Sequence, residues 1–532
     1  MFLLLNTFWF IRTSKYILFW VYLWQLKEYH IGRFLDHFNT HKGKKLIFDP
    51  LLFVKIILAA LFILRSELFA LLFSILFLIY FAESLAFIVS IALKKTKKPV
   101  RTAKTVLLTL LLFALLVLFA FWVNNPLYIL LFDILTPLIV SLVVLSFQPL
   151  AVLIRNNTLN KAAEKIKNIK SAGNLKVIAI TGSYGKTSTK EFLSTILSKK
   201  YKVLKTKEHQ NSEIGVAKCI LDDLKPSHQI FIAEVGAYNK GKVKEVCNIL
   251  KPEIGVVTGV NEQHLALFGS LDNLLSAEGG RELAKMLPKD GVLVLNGDNK
   301  YCLDLYKKTG PEGYPEKKVY STTGKKVNSD IWTDQLSVHE DFISFLAVDK
   351  SKKIVHFRVN VLGGQNIQNI LAAILVAKEL DMNLEEIAEA CKNIKQEQAG
   401  MTLKKGKHGI NIIDSSYSSN PDGVYADIDY LNVFLQKKVI VMPSLIELGE
   451  KSKEVHEKIG RKIAEICDLA IITSRDRFKD IKNGFLGEGG DAKNILLCDN
   501  PQDIYSIITL FCKKGDVVLL EGRVPARLIS LL

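Results

Sequence analysis

The chain has 532 residues, with 70 Lys and Arg against 53 Asp and Glu, and a net charge of +17 at neutral pH. This length exceeds what one hydrophobic core accommodates, so several compact units are expected. The first 150 residues are mainly Leu, Phe, Ile, Val and Ala, whereas the remainder has the composition of a soluble α/β protein. Because much of the positive charge flanks the apolar stretches, a nucleic acid partner is not expected.

Four apolar stretches are long enough to cross a bilayer, which takes about 20 residues: 47–64, 67–93, 105–124 and 126–148. A further stretch at 1–24 is interrupted by Arg12 and Lys15, and its Trp9, Trp20 and Trp24 suit an interfacial or tilted helix. We therefore predict an all-α transmembrane region over residues 1–155, with four or five spans.

Basic residues cluster at 27–45, 94–104 and 155–161, whereas the connections at 65–67 and 124–126 are nearly uncharged in sum. By the positive-inside rule, this pattern predicts two membrane hairpins in the cytoplasmic (inner) membrane, with the C-terminal portion in the cytoplasm. Membrane lipids with anionic headgroups are the partners expected for the basic loops. Lys55, Glu83 and Asp133 lie within the apolar stretches, where they either mark a transport pathway or face the bundle interior or its interface.

From about residue 175 onward, strand-like apolar runs alternate with helix-like segments, which predicts an α/β fold with a parallel sheet covered by helices on both faces. Shorter alternating runs at 310–360 indicate an antiparallel excursion at the edge of this sheet. A helix is expected over 365–380, and from about 408 a second alternation predicts a smaller parallel-sheet domain.

Residues 177–193, VIAITGSYGKTSTKEFL, combine a strand-like run, a turn with two glycines and the start of a helix. Gly182 and Gly185 permit a tight turn whose backbone N–H groups point at phosphate oxygens. Lys186 would neutralise the terminal phosphates and the Thr187 hydroxyl would bind Mg²⁺. Since Glu234 and His264 also follow predicted strands, these distant positions are expected to converge on one cleft.

Eight blocks in order resemble the Mur ligase family, the ATP-dependent amide-forming enzymes of peptidoglycan synthesis. They are TGSYGKTSTKE, NSEIGV, AEVGAYNKGKV, NEQHLALFGS, NGDN, QNIQNILAA, IDSSYSSNPDG and IELG. The resemblance runs from about 175 to 532 and is closest to the branch that adds D-alanyl-D-alanine to a muramoyl tripeptide. It implies a P-loop-type central ATP-binding domain at 170–398 and a smaller Rossmann-like ligase domain at 399–532.

The resemblance also implies ATP and Mg²⁺ as cofactors and assigns roles to individual residues. The catalytic residues would be Lys186, Glu234 and His264. The nucleotide would be bound by Gly182, Ser183, Gly185, Lys186, Thr187, Ser188, Asn296, Asn369 and Asp414. The substrates would contact Asn211, Tyr417 and Asn420, and the metal ligands would be Thr187, Glu234, His264 and Glu278. For Asn296 and Asn369, helix capping or a turn is the competing explanation, and Glu447 and His456 are as consistent with a structural part as with a functional one.

The implied reaction is amide ligation through an acyl phosphate. ATP phosphorylates the carboxylate of a muramoyl peptide or a similar acidic acceptor, and D-alanyl-D-alanine or another amine then attacks. Such chemistry depends on positioning and on neutralising charge around the transferred phosphoryl group.

Three departures from the family pattern stand out. Glu278 falls where the family places a lysine that several members carry as a carbamate, so this glutamate is hypothesised to replace the carbamate charge. Gly400-Met401 stands where the family has Gly-Arg, with Lys404 or Lys405 as the nearest cations. Membrane helices also stand in place of the uridine-binding domain.

The third departure leaves open whether the acceptor is UDP-linked or lipid-linked. A nucleotide-gated membrane transporter and an inactive scaffold remain as alternatives of another class.

Overall fold

The computed structural model describes residues 1–93, 96–173, 175–208, 210–261, 264–308, 315–324, 329–416, 420–446 and 448–532. The chain forms two compact units, Met1–Ile154 and Arg155–Leu532. Helix α8 (Gln148–Ala172) contains the boundary between them.

The first unit is entirely helical over its described residues. Its helices are α1 (Phe2–Leu26), α2 (Ile31–His37), α3 (His41–Ile47), α4 (Pro50–Leu64), α5 (Phe69–Ala92), α6 (Ala103–Trp122) and α7 (Pro126–Ser146). Four helical stretches are long and apolar enough to cross a membrane: Gly43–Leu64, Phe69–Ala92, Ala103–Trp122 and Pro126–Ala172. The four predicted apolar stretches are therefore confirmed as helices, and many of their Leu, Ile and Phe side chains point outward.

The three tryptophans of α1, which suit an interfacial or tilted helix, lie inside the helical unit. Helix α1 packs against α5, α6 and α7, and Trp9, Trp20 and Trp24 are at most 5% exposed. Trp24 donates its indole N–H to the Ser141 hydroxyl at 3.1 Å and stacks on Phe34. The amphipathic indole thus finds its apolar and polar partners inside the bundle.

The charged residues of the apolar stretches meet inside the same bundle. Lys55 of α4 lies 2.6 Å from a Glu83 oxygen of α5 and 2.8 Å from an Asp133 oxygen of α7. Arg12 of α1 pairs with both of these carboxylates, and the Tyr80 hydroxyl donates to Asp133 at 3.2 Å. These charges therefore face the bundle interior and compensate one another, as charges in a low-dielectric environment must.

The second unit contains a nine-stranded sheet in the order β2-β3-β1-β4-β5-β6-β7-β8-β9. Its strands are β1 (Lys176–Thr181), β2 (Val203–Lys205), β3 (Ile230–Glu234), β4 (Ile254–Val257), β5 (Val292–Asn296), β6 (Glu316–Ser321), β7 (Ile331–Val338), β8 (Ile343–Asp349) and β9 (Ile354–Val359). Pairing is parallel from β2 to β7 and antiparallel among β7, β8 and β9. The antiparallel excursion at the sheet edge is thereby confirmed.

Helices cover both faces of this sheet, because the central strands are apolar on both sides. Along the chain they are α9 (Lys186–Leu197), α10 (Glu213–Asp223), α11 (Lys242–Leu250), α12 (Leu265–Phe268), α13 (Leu271–Ala277), α14 (Arg281–Met286), α15 (Lys300–Lys308), α16 (Asn366–Lys378) and α17 (Leu384–Cys391). One core joins the sheet to α9, α16 and α17, and the other joins it to α8, α10, α11 and α13–α15. The predicted helix over 365–380 is confirmed as α16.

A second sheet of six strands follows in the order β10-β11-β15-β12-β13-β14. Its strands are β10 (Thr402–Lys405), β11 (Asn411–Ser415), β12 (Lys438–Met442), β13 (Leu469–Ile472), β14 (Ile495–Leu497) and β15 (Val517–Glu521). Only the β10–β11 pair is antiparallel. Helices α18 (Pro421–Tyr430), α19 (Ser452–Ile466) and α20 (Phe478–Gly487) pack on one face, and α21 (Pro501–Phe511) and α22 (Ala526–Leu531) on the other.

Candidate active site

The turn between β1 and α9 has the geometry of a phosphate-binding loop. Gly182 and Gly185 have φ angles of 139° and 75°, which side chains other than glycine rarely adopt. A Cβ added to Gly182 would lie 2.3 Å from the Thr258 hydroxyl, and one on Gly185 would lie 2.3 Å from the Asn369 amide oxygen. Helix α9 begins at Lys186 without a side-chain cap, so its first N–H groups are directed at the space above the loop.

Lys186 leans back over this loop. Its ammonium group donates to the backbone carbonyl oxygens of Gly182 and Ser183. The Lys186 ammonium group therefore lies beside the loop, within reach of a phosphate bound there. Ser188, one residue after Thr187, instead directs its hydroxyl to the Ala399 carbonyl oxygen at 3.4 Å.

Glu234, the last residue of β3, lies on one side of the loop. The Thr187 hydroxyl is 3.1 Å from both carboxylate oxygens, the Asn211 amide donates at 3.2 Å, and the Lys190 ammonium donates at 3.1 Å. Burial alone would raise the pKa of Glu234, but the charges of Lys190 and Lys186 and the hydrogen bonds from Lys190 and Asn211 hold it below its ordinary value. Glu234 is therefore an ionised carboxylate.

Glu278 lies on the other side of the loop, although its segment follows β4. One carboxylate oxygen accepts a hydrogen bond from the Ser183 hydroxyl at 2.7 Å, and the other contacts His264 Nδ1 at 2.9 Å. Burial opposes ionisation here too, yet the neighbouring His264, Lys186 and Ser183 keep the pKa of Glu278 below its ordinary value. The structure thus brings the loop, Glu234, His264 and Glu278 to one edge of the sheet.

These groups form two separate sets, Glu234 with Thr187 and Glu278 with His264, and not one compact metal site. Among the residues that the structure describes, no three Asp, Glu, His or Cys side chains gather closely enough to hold a metal ion by themselves. Magnesium suits such a site nevertheless, because it usually takes one or two carboxylates and completes its shell with water and phosphate oxygens. Glu234 with Thr187, and Glu278 with His264, fit that requirement.

The two predicted adenine-side asparagines differ in their surroundings. Asn296 is fully buried, donates to the Thr258 carbonyl oxygen at 2.7 Å and accepts from the Asp298 N–H at 2.9 Å. These hydrogen bonds form a turn at the end of β5, which agrees with the competing explanation for Asn296. Asn369 lies against Gly185 and receives the Thr189 hydroxyl at 3.4 Å.

The second sheet contributes the segment that begins after β11. Asn420 caps α18 by accepting from the Gly423 N–H, and the Asn261 amide donates to Asn420 at 3.3 Å and to Asp422 at 3.0 Å. These contacts connect the second sheet to the loop that precedes His264. Asp414, at 4.0 Å from Lys404, accepts from the Ser416 hydroxyl. Tyr417 and Glu447 lie outside the described residues.

The remaining positions are buried in the fold or hydrogen-bonded within it. His456 is fully buried; its Nε2 accepts from the Leu445 N–H at 3.0 Å, and burial lowers the pKa of its imidazole. Met401, at the position where the family resemblance calls for arginine, belongs to the core of the second sheet. Of the two nearby lysines, Lys405 donates a hydrogen bond to the Asn411 amide oxygen, and Lys404 lies 4.0 Å from Asp414.

The sequence interpretation missed two residues of this site: Lys190, which contacts Glu234, and Asn261, which contacts Asn420 and Asp422. Lys190 follows Lys186 by four residues and so shares its helix face, which is a signal that the sequence does contain. Asn261 lies three residues before His264 in the sequence, and nothing local indicates its contacts with Asn420 and Asp422.

Two family models match the chain: the Mur ligase middle domain over residues 180–377, and the Mur ligase, glutamate ligase domain over residues 401–524. Together they cover more than half of the chain. Curated relatives named UDP-N-acetylmuramoyl-tripeptide--D-alanyl-D-alanine ligase include those of Mycobacterium leprae (26% identical; 68% of this chain and 74% of the relative), Bacillus subtilis (26%; 70% and 78%) and Borreliella burgdorferi (31%; 58% and 64%).

Solved structures agree with the fold. MurF from Acinetobacter baumannii matches with a TM-score of 0.63 at 22% identity, covering 71% of this chain and 79% of the other. The MurF ligase of Thermotoga maritima, solved in complex with ADP, matches with a TM-score of 0.60 at 25% identity, covering 71% and 83%. With both domain models matched in order over the two sheets, the chain belongs to the Mur ligase family.

Proposed function

We propose that this chain is an ATP-dependent peptide ligase that adds D-alanyl-D-alanine to a muramoyl peptide during peptidoglycan precursor synthesis. The observation that carries the proposal is the phosphate loop with an ionised carboxylate on each side. Glu278 accepts a hydrogen bond from the Ser183 hydroxyl of the loop, and Glu234 accepts one from the Thr187 hydroxyl in the first turn of α9. The names of the curated relatives support the choice of substrates, and the ADP complex of the Thermotoga maritima enzyme supports ATP as the nucleotide.

The chain's own residues divide the work of phosphoryl transfer. The loop N–H groups and the N-terminus of α9 bind phosphate oxygens, and Lys186 offsets the charge of the phosphates. The acceptor carboxylate attacks the terminal phosphorus of ATP, and ADP leaves as the acyl phosphate forms. The incoming neutral amine then attacks the acyl carbon, and the amide forms with release of phosphate and one proton. Positioning and charge neutralisation carry most of such a reaction.

Mg²⁺ fits two sets of ligands: the oxygens of Thr187 and Glu234, and the Glu278 carboxylate with the His264 imidazole nitrogen. When bound there, the metal supplies charge neutralisation at the phosphate oxygens. Asn211 orients Glu234 through its amide hydrogen bond, and Asn420 helps hold the α18 segment beside Asn261. Glu278 needs no carbamate to be anionic.

We place the protein at the cytoplasmic membrane, with the ligase unit on the cytoplasmic side. The four membrane-length helices and the distribution of basic residues around them support this location. A membrane-bound ligase and a lipid-linked acceptor are confined to the same surface, which raises their effective concentration. We therefore favour a lipid-linked muramoyl peptide as the acceptor over the UDP-linked form.

The full-length protein in detergent tests the reaction. UDP-linked and lipid-linked muramoyl tripeptides are supplied in parallel with ATP, Mg²⁺ and D-alanyl-D-alanine, and the amide product is measured by mass spectrometry alongside phosphate release. Product is expected only when all components are present, and Lys186→Met should abolish it. Phosphate release that ignores both the acceptor and the amine would contradict the proposal.

A further inference from the structure

A second lysine on α9 has no assigned part in the reaction. Lys190 lies one turn after Lys186 and is fully buried. A buried ammonium group is costly unless it is paired. Its Nζ atom lies 3.1 Å from one Glu234 oxygen and 3.6 Å from a Glu191 oxygen, so its nearest partner is a carboxylate of the candidate metal site.

The two lysines therefore face different parts of the site. Lys186 is bonded to the loop carbonyl oxygens of Gly182 and Ser183, where phosphate chemistry takes place. Lys190 contacts Glu234 at 3.1 Å and has no exposed surface with which to touch a nucleotide. We therefore expect Lys190 to affect the reaction through its contact with Glu234.

The surroundings of Glu234 show what this contact does. Glu234 is itself only 5% exposed, so the groups packed against it set its orientation. Lys190 donates to one carboxylate oxygen while Asn211 donates to the other, and together they fix the plane of the carboxylate.

We infer that Lys190 is a positioning residue that holds the Glu234 carboxylate in its orientation for a divalent cation beside Thr187. This inference rests on the proposed function, since it takes Glu234 as a ligand of Mg²⁺. Groups that orient a metal ligand in this way typically change metal affinity about 10–100-fold when they are removed.

The test measures ADP binding to the full-length protein in detergent by calorimetry, with Mg²⁺ varied and with EDTA. In Lys190→Met, the Mg²⁺ concentration needed to strengthen ADP binding should rise at least about tenfold, while ADP affinity in EDTA stays unchanged. Lys190→Arg, which keeps the charge, should restore most of the wild-type Mg²⁺ response. Glu191→Gln is the matched control, because it alters the other carboxylate near Lys190 and should leave the Mg²⁺ response unchanged.

The outcomes separate the two claims. A wild-type protein whose ADP binding ignores Mg²⁺ overturns the magnesium site of the proposed function, and the inference with it. A Mg²⁺-responsive wild type with an equally responsive Lys190→Met overturns the inference alone. If Lys190→Met does not fold, Lys190→Gln replaces it: the same rise in required Mg²⁺ supports the inference, and a wild-type response overturns it.

Discussion

Glu278 connects the phosphate loop with His264. It is 1% exposed and bonded to Ser183 of the loop and to His264. The sequence located this glutamate by its place in a motif, and the structure puts its carboxylate against the loop. Residues of local motifs were predictable in this way. The spacing of Lys190 from Lys186 is visible in the sequence, but its contact with Glu234 is not, because Glu234 lies 44 residues away.

Glu278→Gln should lower the rate of ligation by at least about tenfold, because the amide keeps a similar shape but removes the negative charge. The measurement is amide formation by the full-length protein at saturating ATP. Asp272→Asn, which changes an exposed carboxylate on the adjacent helix α13, should leave the rate unchanged. Wild-type turnover in Glu278→Gln would contradict the carbamate-replacement hypothesis, and Glu278→Lys that regains activity with added bicarbonate would strengthen it.

At the scale of elements, strand ends bring together groups that the sequence keeps apart. Ser415 and Glu521 are register partners at the ends of β11 and β15, and Asp427 of α18 lies over them. The Ser415 hydroxyl and the Gln365 amide donate to Asp427, which is hydrogen-bonded to Glu521. Burial raises the pKa of both carboxyl groups, and the nearby Asp427 raises that of Glu521 further.

This pair predicts a loss of stability as pH rises. The folded pKa of Glu521 lies well above its ordinary value of 4.5, so the folded state binds more protons than the unfolded state between these two pKa values. The free energy of unfolding therefore falls as the pH rises above 4.5, until the pH passes the folded pKa. Heat-induced unfolding of the full-length protein in detergent should therefore occur at a lower temperature at pH 8 than at pH 5.5.

Glu521→Gln keeps a hydrogen-bonding group without the titration, so it should raise the unfolding temperature at pH 8. A gain of about 1 kcal/mol corresponds to about 2–4 °C in a domain of this size. The exposed substitution Glu488→Gln is the control. If Glu521→Gln retains the full wild-type difference between the two pH values, the carboxyl pair is not its source.

The charge cluster of the helical unit links α1, α4, α5 and α7. Lys55→Met should destabilise this unit by about 3–5 kcal/mol, because it leaves the buried Asp133 and the partly buried Glu83 with only Arg12 to offset their charges. The measurement is the temperature at which the protein in detergent ceases to be monodisperse. Lys55→Met combined with Glu83→Gln restores neutrality and should recover part of the loss, whereas equal stability of Lys55→Met and wild type would show that Lys55 is not buried against these carboxylates.

At the scale of the whole molecule, the chain contains a helical unit, with four stretches long and apolar enough to cross a membrane, and a ligase unit with its own cores. Confining an enzyme and its acceptor to one membrane raises their effective concentration without any new contact. The proposed location thus gives the helices a function that does not require them to touch the reacting groups.

This arrangement predicts a specific difference between the full chain and residues 155–532. On a lipid-linked acceptor in vesicles, the full-length protein should work about 10²-fold faster than the shorter chain at low acceptor density. Product formation is followed by mass spectrometry, with vesicle-free UDP-linked acceptor as the parallel arm. Efficient ligation of the UDP-linked acceptor by the shorter chain would contradict membrane presentation.

The sequence by itself determined the four apolar helices, the α/β alternation, the antiparallel edge and the phosphate loop. Each of these depends on residue periodicity or on glycines within a short window, which the order of residues fixes directly. The tertiary structure decided the place of α1 inside the bundle, the turn role of Asn296 and the pairing of Lys190 with Glu234. Burial and ion pairing depend on residues distant in sequence, and they are settled only when the strands and helices pack together.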